Sequence, residues 1–538
     1  MTQRPILILL ATCMLCACGK VSTLGRGKDS SHNGAQTSGG SNALGGTSGA
    51  STNGVAGSTS ESDAGANLGG MGGSPPKDPE CLSAVKVEGD LQVSSGSNTT
   101  QLVSEVTGDV TIDAATSELP QLRCLETVGN NLDVHIQSGD LSVLSRLRSV
   151  HINLTIHGNH DIRELSALSS LTSVGTALTI EDNDALVDLS GLEGLNDDLF
   201  ELHIRNNPKL ENLDALSNLT SRGGKLEISG NDALSDITGL HRISKASKLD
   251  ISNNPSLRDL AGLEGLTDVS DINIVGNDSL VNLDGLLGVK SANDVSLSDN
   301  QALSDLAGLA NLATARSIRL VNNVALENID ALRISLTSLR SFELNRSPKV
   351  TNVEGLTKLT TLSDGIALSE SGVNTLNGLR NLEQVSSLNL SFIKIKDLSG
   401  LGKANLSDGY LNLEQNDELL SVSGLSPDNH RLQAAQFRDN AKLDDLSGLS
   451  ALQSIGILTL TSNPKLESLA GLEGVTTLDT LTLTDSALTS LAPLDGVQSV
   501  NESANIERNA NLSNCEALAF VQRTGAPTAA VEGNGPCP

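Results

Sequence analysis

The sequence predicts a solenoid that leans all-β, coiled around one long parallel sheet, with little helix and a cap at each end. Three observations carry this. A unit of the form L-x-[IL]-x-x-N-x-x-L-x-x-L-x-G-L-x-x-L recurs from about residue 130 to residue 512, as in the stretch from Leu226 to Leu240. Its turn position advances by 22–24 residues at a time through Asn159, Asn183, Asn207, Asn231, Asn254, Asn277, Asn300 and Asn323, then Ser347, Ser371 and Ile393, then Asn416, Asn440, Asn463, Ser486 and Asn509. The 538 residues include no Trp, one Tyr and five Phe, so Leu, Ile, Val and Ala must build the core. Stacked repeats supply such an aliphatic layer coil by coil.

Residues 1–18 form the first segment. Arg4 gives a positive start, and Ile6-Leu7-Ile8-Leu9-Leu10-Ala11 begins an apolar run too short to span a bilayer as a stable helix. This is the pattern of an export signal. It ends in Leu15-Cys16-Ala17-Cys18-Gly19, which resembles the bacterial lipoprotein box, in which a small residue precedes the lipidated cysteine. Cys16 stands where a small residue is usual, and Cys13, after Thr12, fits the box less well. The resemblance implies cleavage before Cys18, acylation of Cys18 and a membrane partnership through the acyl anchor. Several acyl chains on one cysteine hold far better than one. Gly19 in place of Asp implies the bacterial outer membrane or cell surface by that family's sorting rule. Residues 19–80 are dominated by Gly, Ser, Ala, Asn and Thr, the composition of a disordered tether. As a Gly-rich coil their root-mean-square span is on the order of 45 Å.

Residues 81–130 read as an N-terminal cap with degenerate coils, in which Leu91-Gln92-Val93 and Val110-Thr111-Ile112 are strand-like. Residues 131–512 are the solenoid proper. Within one unit, L-x-I has period 2, so its apolar residues share one face of a strand. Asn then ends the strand. Stacked in successive coils, its buried amide can bond the turn and the next coil. Leu234, Ile237, Leu240 and Ile243 follow at intervals of three, which suits short 3₁₀ turns better than an α-helix. A Gly or Ala precedes a Leu in coil after coil, as at Gly191, Ala215, Gly239 and Gly262. A small residue is needed where the return arm bends or coils approach closely. Each coil contributes one parallel strand, so the body is on the order of 80–90 Å long. The expected hand is right, as for parallel crossovers generally.

With this unit described, the chain resembles leucine-rich-repeat proteins, most closely the receptor L-domain variety, with N-x-x-L rather than N-x-L after the strand. The resemblance covers about residues 81–538. Ser347, Ser371 and Ile393 depart from the pattern, so the Asn ladder is expected to falter over residues 340–400.

Residues 513–538 read as a C-terminal cap. Ser513-Asn514-Cys515-Glu516 matches a capping box and opens a short helix through about Gln522, with Ala517, Leu518 and Val521 on one face. Besides Cys18, four cysteines remain after cleavage: Cys81, Cys124, Cys515 and Cys537. They allow three pairings. The ends of a long solenoid are too far apart to bridge, which leaves disulfides Cys81–Cys124 and Cys515–Cys537, in keeping with export. A zinc site matches less well, because neither pair has a spaced His partner.

The formal charge of −28 and a pI near 4.6 repel a phosphate backbone, which argues against a nucleic-acid partner. No catalytic set, cofactor site or metal site emerges. His157 falls on a strand face and His160 in the next turn. Asp182-Asn183-Asp184 lacks the Gly and closing Glu of a calcium loop. No nucleophile elbow stands in a strand–turn–helix context. What remains is the outward strand face, polar and mixed in charge, which on the 226–240 unit leaves Glu227 and Ser229 free. The irregular coils add Phe392 and Lys394, with Phe342 and Tyr410 alongside, as candidate contacts. The reading is a non-catalytic recognition or adhesion solenoid on a lipid anchor, with a protein or glycan ligand on the sheet face and no cofactor. The alternatives are a structural envelope lipoprotein without a specific ligand and, third, an enzyme.

Overall fold

The computed structural model describes residues 79–538 except 98, 99, 335, 407 and 427. Cys18, the export signal and all but the last two residues of the 19–80 segment lie outside the described residues. Twenty strands pair in one parallel ladder, from Leu91–Ser94 at one edge to Thr528–Glu532 at the other. Each edge strand pairs on one side, so the ladder is open. A thinner ladder runs beside it. Residue pairs just upstream of the main strands bond to their equivalents one coil on, as Ser149–Val150 does with Ser173–Val174. In some coils the two merge into one eight-residue strand, as in Lys245–Ser252 and Asp268–Val275.

One coil explains the rest. In Lys225–Ser229, Leu226 and Ile228 are buried while Glu227 and Ser229 lie on the outer face. Asn231, Leu234, Ile237, Leu240 and Ile243 follow, all buried. The Leu240 N–H donates to the Ile237 carbonyl at 3.0 Å, and the Ile243 N–H to the Leu240 carbonyl at 2.8 Å. These i to i+3 bonds are the 3₁₀ geometry, and they place every third residue inward. Gly239 sits where two coils touch: a Cβ there would lie 2.0 Å from the Leu213 carbonyl oxygen. Burying each Leu or Ile contributes about 1.5–3 kcal/mol, repeated coil after coil.

Just before the turn Asn, the backbone is left-handed. Gly158, Asp182, Asn206, Gly230, Asn253, Gly276, Asp299 and Asn322 have φ between 53° and 69°. Gly, Asn and Asp tolerate this region and other residues pay strain there. Three successive coils place Arg346, Glu370 and Phe392 in it, at φ 50°, 46° and 53°.

Among the described residues there is one α-helix, Asn514–Thr524. Its cap differs from the capping box expected. Ser513 is the N-cap, but its hydroxyl makes no capping bond and is buried without a partner. Glu516 instead accepts from Ser490 Oγ at 2.8 Å and from the Leu491 N–H at 2.5 Å, so it ties the helix to the preceding coil. The buried stripe is Ala517, Phe520 and Thr524, at helical spacing, while Leu518 is exposed. Gly525, left-handed at φ 66°, ends the helix. Disulfides join Cys81 to Cys124 and Cys515 to Cys537, with Cα atoms 5.6 and 5.2 Å apart. Phe342 is no surface contact: it takes an inward strand position between Ile318 and Ile366 and is buried.

Candidate interaction face of the sheet

The turn Asn residues from Asn159 to Asn323, and Asn416, Asn440, Asn463 and Asn509, are all buried. They form a chain of amides. The backbone N–H and Nδ2 of Asn231 both donate to Asn254 Oδ1, at 3.1 and 3.2 Å. Asn254 in turn donates both to Asn277 Oδ1, at 3.0 and 3.3 Å, and its Nδ2 reaches back to the Ile228 carbonyl at 2.9 Å. Asn534 adds a rung that sequence reasoning missed, accepting from the Asn509 N–H at 3.0 Å. The chain passes through Ser486, whose Oγ accepts from the Asn463 N–H at 3.4 Å and whose N–H donates to Asn509 Oδ1 at 3.1 Å, but it stops at the other three replacements. Ser347 Oγ donates to its own coil's Asn345 carbonyl at 3.3 Å. Ser371 Oγ is buried without a partner. Ile393 brings only a backbone N–H, which donates to Asn416 Oδ1 at 3.1 Å.

On the outward face, equivalent residues of successive coils pair directly. His135 Nδ1 lies 3.0 Å from Asp113, and His157 Nε2 lies 2.8 Å from Asp133. The two rings stack with centroids 5.5 Å apart. His160 lies 2.7 Å from Asp184, so His157 and His160 face different carboxylates and do not converge. No group of three metal-ligand side chains converges among the described residues.

Glu227, which the sequence leaves free, is the hub of an ion network. His203 Nδ1 lies 2.8 Å from its Oε2 and Lys225 Nζ 2.9 Å. The other nitrogen of His203 lies 3.2 Å from Glu201, and Arg205 bonds Glu181 at 2.6 Å. Burial raises the Glu227 carboxyl, but hydrogen bonds from Lys225 and His203 and the charges of Lys225 and Arg205 outweigh it, leaving the pKa below the usual glutamate value. Asp250, one coil on, is held low in the same way against its own burial, by Asn273 at 3.0 Å and Lys248 at 3.1 Å.

This network forms one wall of a recess of about 470 Å³ over the strands Asn153–His157, Ala177–Glu181, Glu201–Arg205 and Lys225–Ser229. Phe200 stands at its rim and is exposed. Sequence reasoning missed this recess, because Phe200 precedes its strand rather than lying in it. Phe392 and Tyr410 are both 49% exposed, and Lys394 is exposed too. The structure does not gather them. Tyr410 pairs with Ser387 at the start of the neighbouring strand, whereas Phe392 follows that strand's end at Ser391. Five residues of extended chain separate those positions by roughly 16 Å. The Tyr410 hydroxyl donates to Gln433 Oε1.

One strand per short coil, a 3₁₀ return arm and a buried Asn ladder define a leucine-rich-repeat solenoid. No family model matches the chain, and no curated protein does. Among solved structures, an internalin of Listeria monocytogenes is 19% identical with a TM-score of 0.33, covering 67% of this chain and 81% of that one. A leucine-rich-repeat protein of Leptospira interrogans is 17% identical with a TM-score of 0.33, covering 78% and 93%. The class therefore rests on this chain's own ladder.

Proposed function

We infer that the chain is a bacterial surface lipoprotein of the receptor L-domain kind, which recognises a ligand across its sheet face without catalysis. Cys18 carries the acyl anchor at the outer membrane or cell surface. Residues 19–80 are the tether, 81–130 and 513–538 the caps, and 131–512 the recognition solenoid. The observation that supports recognition is where the scarce aromatics lie. Of five Phe and one Tyr, three are buried (Phe342, Phe437 and Phe520) and three are exposed (Phe200, Phe392 and Tyr410). Those three stand on, or immediately flank, strands of the same sheet. Exposed aromatics are the side chains that most often anchor binding.

The test is binding of the whole chain to isolated envelope material, compared with a Phe200→Ala, Phe392→Ala, Tyr410→Ala variant. Saturable binding lost in the variant supports recognition. Equal binding by both, or only weak self-association, favours a structural envelope role and sinks the reading. For the anchor, Cys18→Ser should move the protein from membranes to the soluble fraction; continued acyl labelling of that variant would refute it.

A further inference from the structure

The recess beside Phe200 exists because side chains of unequal length stand in register. Asn153 and Ala177 pair in line with Glu201, and Thr155 and Thr179 in line with His203. Short side chains in two coils therefore meet long ones in the next two. The short residues make a floor and the ion network a wall. The recess is an open depression of the face, about 470 Å³ in volume, rather than an enclosed pocket.

Two facts restrict what can occupy it. The first is that the wall's charges are spent on one another. Glu181 pairs with Arg205, Glu227 with Lys225, and His203 bridges Glu201 and Glu227. Lys225 and Arg205 are both paired, so an anionic ligand finds no unopposed cation on a chain that carries −28 overall. The second is that the floor is polar and unspent. The side chains of Asn153, Thr155 and Thr179 line the recess, half-buried, and none makes a hydrogen bond to a described residue. Each hydroxyl or amide there can both donate and accept. Beside this floor Phe200 is 47% exposed.

A ligand matching both facts is neutral, rich in hydroxyls and apolar on one side. A pyranose ring has this chemistry: an apolar C–H face suited to Phe200, and hydroxyls suited to Thr155, Thr179 and Asn153. An extended peptide fits less well. Strand addition needs a free sheet edge, and the strands of the recess are paired on both sides. We propose that this recess binds a neutral saccharide. The proposal rests on the recognition reading above and gives its ligand a chemical class.

Affinity electrophoresis of the full chain tests it, in native gels cast with dextran, laminarin or galactomannan, and with heparin as the anionic counterpart. Retardation by a neutral polysaccharide is expected. Phe200→Ala, and separately Thr155→Val with Thr179→Val, should each weaken it about tenfold, equivalent to ~1.4 kcal/mol. Both sets are surface changes, and unaltered circular dichroism will show that the variants fold. Retardation that persists in both variants overturns the recess as the site. Retardation by heparin alone, or by none of the neutral polymers, overturns the saccharide. If saturable envelope binding then survives and is lost in the triple aromatic variant, the recognition reading stands without the saccharide. If it is absent too, both fall.

Discussion

Asn254→Ala tests the amide ladder where it is complete. In the native chain, Asn254 Oδ1 accepts from the N–H and Nδ2 of Asn231, at 3.1 and 3.2 Å. Its Nδ2 donates to the carbonyls of Ile228 and Ser252, at 2.9 and 3.2 Å, and to Asn277 Oδ1 at 3.3 Å. Alanine removes all of these at once. The Asn231 N–H is left without a protein acceptor at a position where Asn231 and Asn254 are both fully buried. An unsatisfied buried group costs about 1–3 kcal/mol, so a total of about 2–4 kcal/mol is expected. In a solenoid the loss is local, because each coil contacts only its neighbours. Hydrogen exchange read by mass spectrometry over residues 226–260 should therefore show it more sharply than a global melt. The control is Ser371→Ala, which deletes a buried hydroxyl that already has no partner. That change should be neutral or slightly stabilising. Equal costs for the two variants would refute the ladder as a source of stability.

Three further outcomes follow from the same geometry. Phe392→Asn should stabilise by ~1 kcal/mol, because Asn accepts the left-handed backbone that strains Phe, and a lower denaturation midpoint would contradict this. Glu227→Gln should cost about 1–3 kcal/mol at neutral pH, since it weakens charge-assisted bonds in a nearly buried network. The folded pKa of Glu227 is depressed, so its contribution is present above the unfolded value of about 4.3 and is lost as pH falls through the folded value. The gap between wild type and variant should close in acid, and a gap independent of pH would exclude charge as its source. Replacing Cys515 and Cys537 by Ser opens a loop with a sequence separation of 22 and should loosen the cap by about 3 kcal/mol, read as faster exchange in the Asn514–Thr524 helix.

The repeat, the strand and the 3₁₀ return arm were legible because each depends on spacing within one coil. Leu226 and Ile228 show period 2, and Leu234 to Ile243 show period 3, whatever lies above or below them. The left-handed position is legible too: Gly230, Asn253 and Gly276 stand immediately before their ladder Asn residues, and that column is the signal. What could not be read depends on contacts between residues about 24 apart. Lys225, two residues back on the same strand, is a legible partner for Glu227, but the bond to His203 in the preceding coil is not. Glu516 fits a local capping box, yet the turn at Ser490 and Leu491 offers its carboxylate two closer donors. The recess likewise arises only when Thr155 and Thr179 line up with His203, which requires the register rather than the repeat.

The gap in the amide ladder divides the chain of buried amides in two. Eight amides from Asn159 to Asn323 pass hydrogen bonds along without interruption. A second series resumes at Asn416 and runs to Asn534. In a one-dimensional stack, stability is a sum of coil terms and couplings between neighbours, so the weakest coupling decides how far a local opening spreads. An opening that begins on one side is expected to halt at the coils of Ser347 and Ser371, where strand pairing and the aliphatic core couple the coils without the amides. The continuous sheet thus spans two amide-linked blocks, and hydrogen exchange is expected to show them opening separately. Phe200 belongs to the first block and Tyr410 to the second, while Phe392 sits at the joint between them.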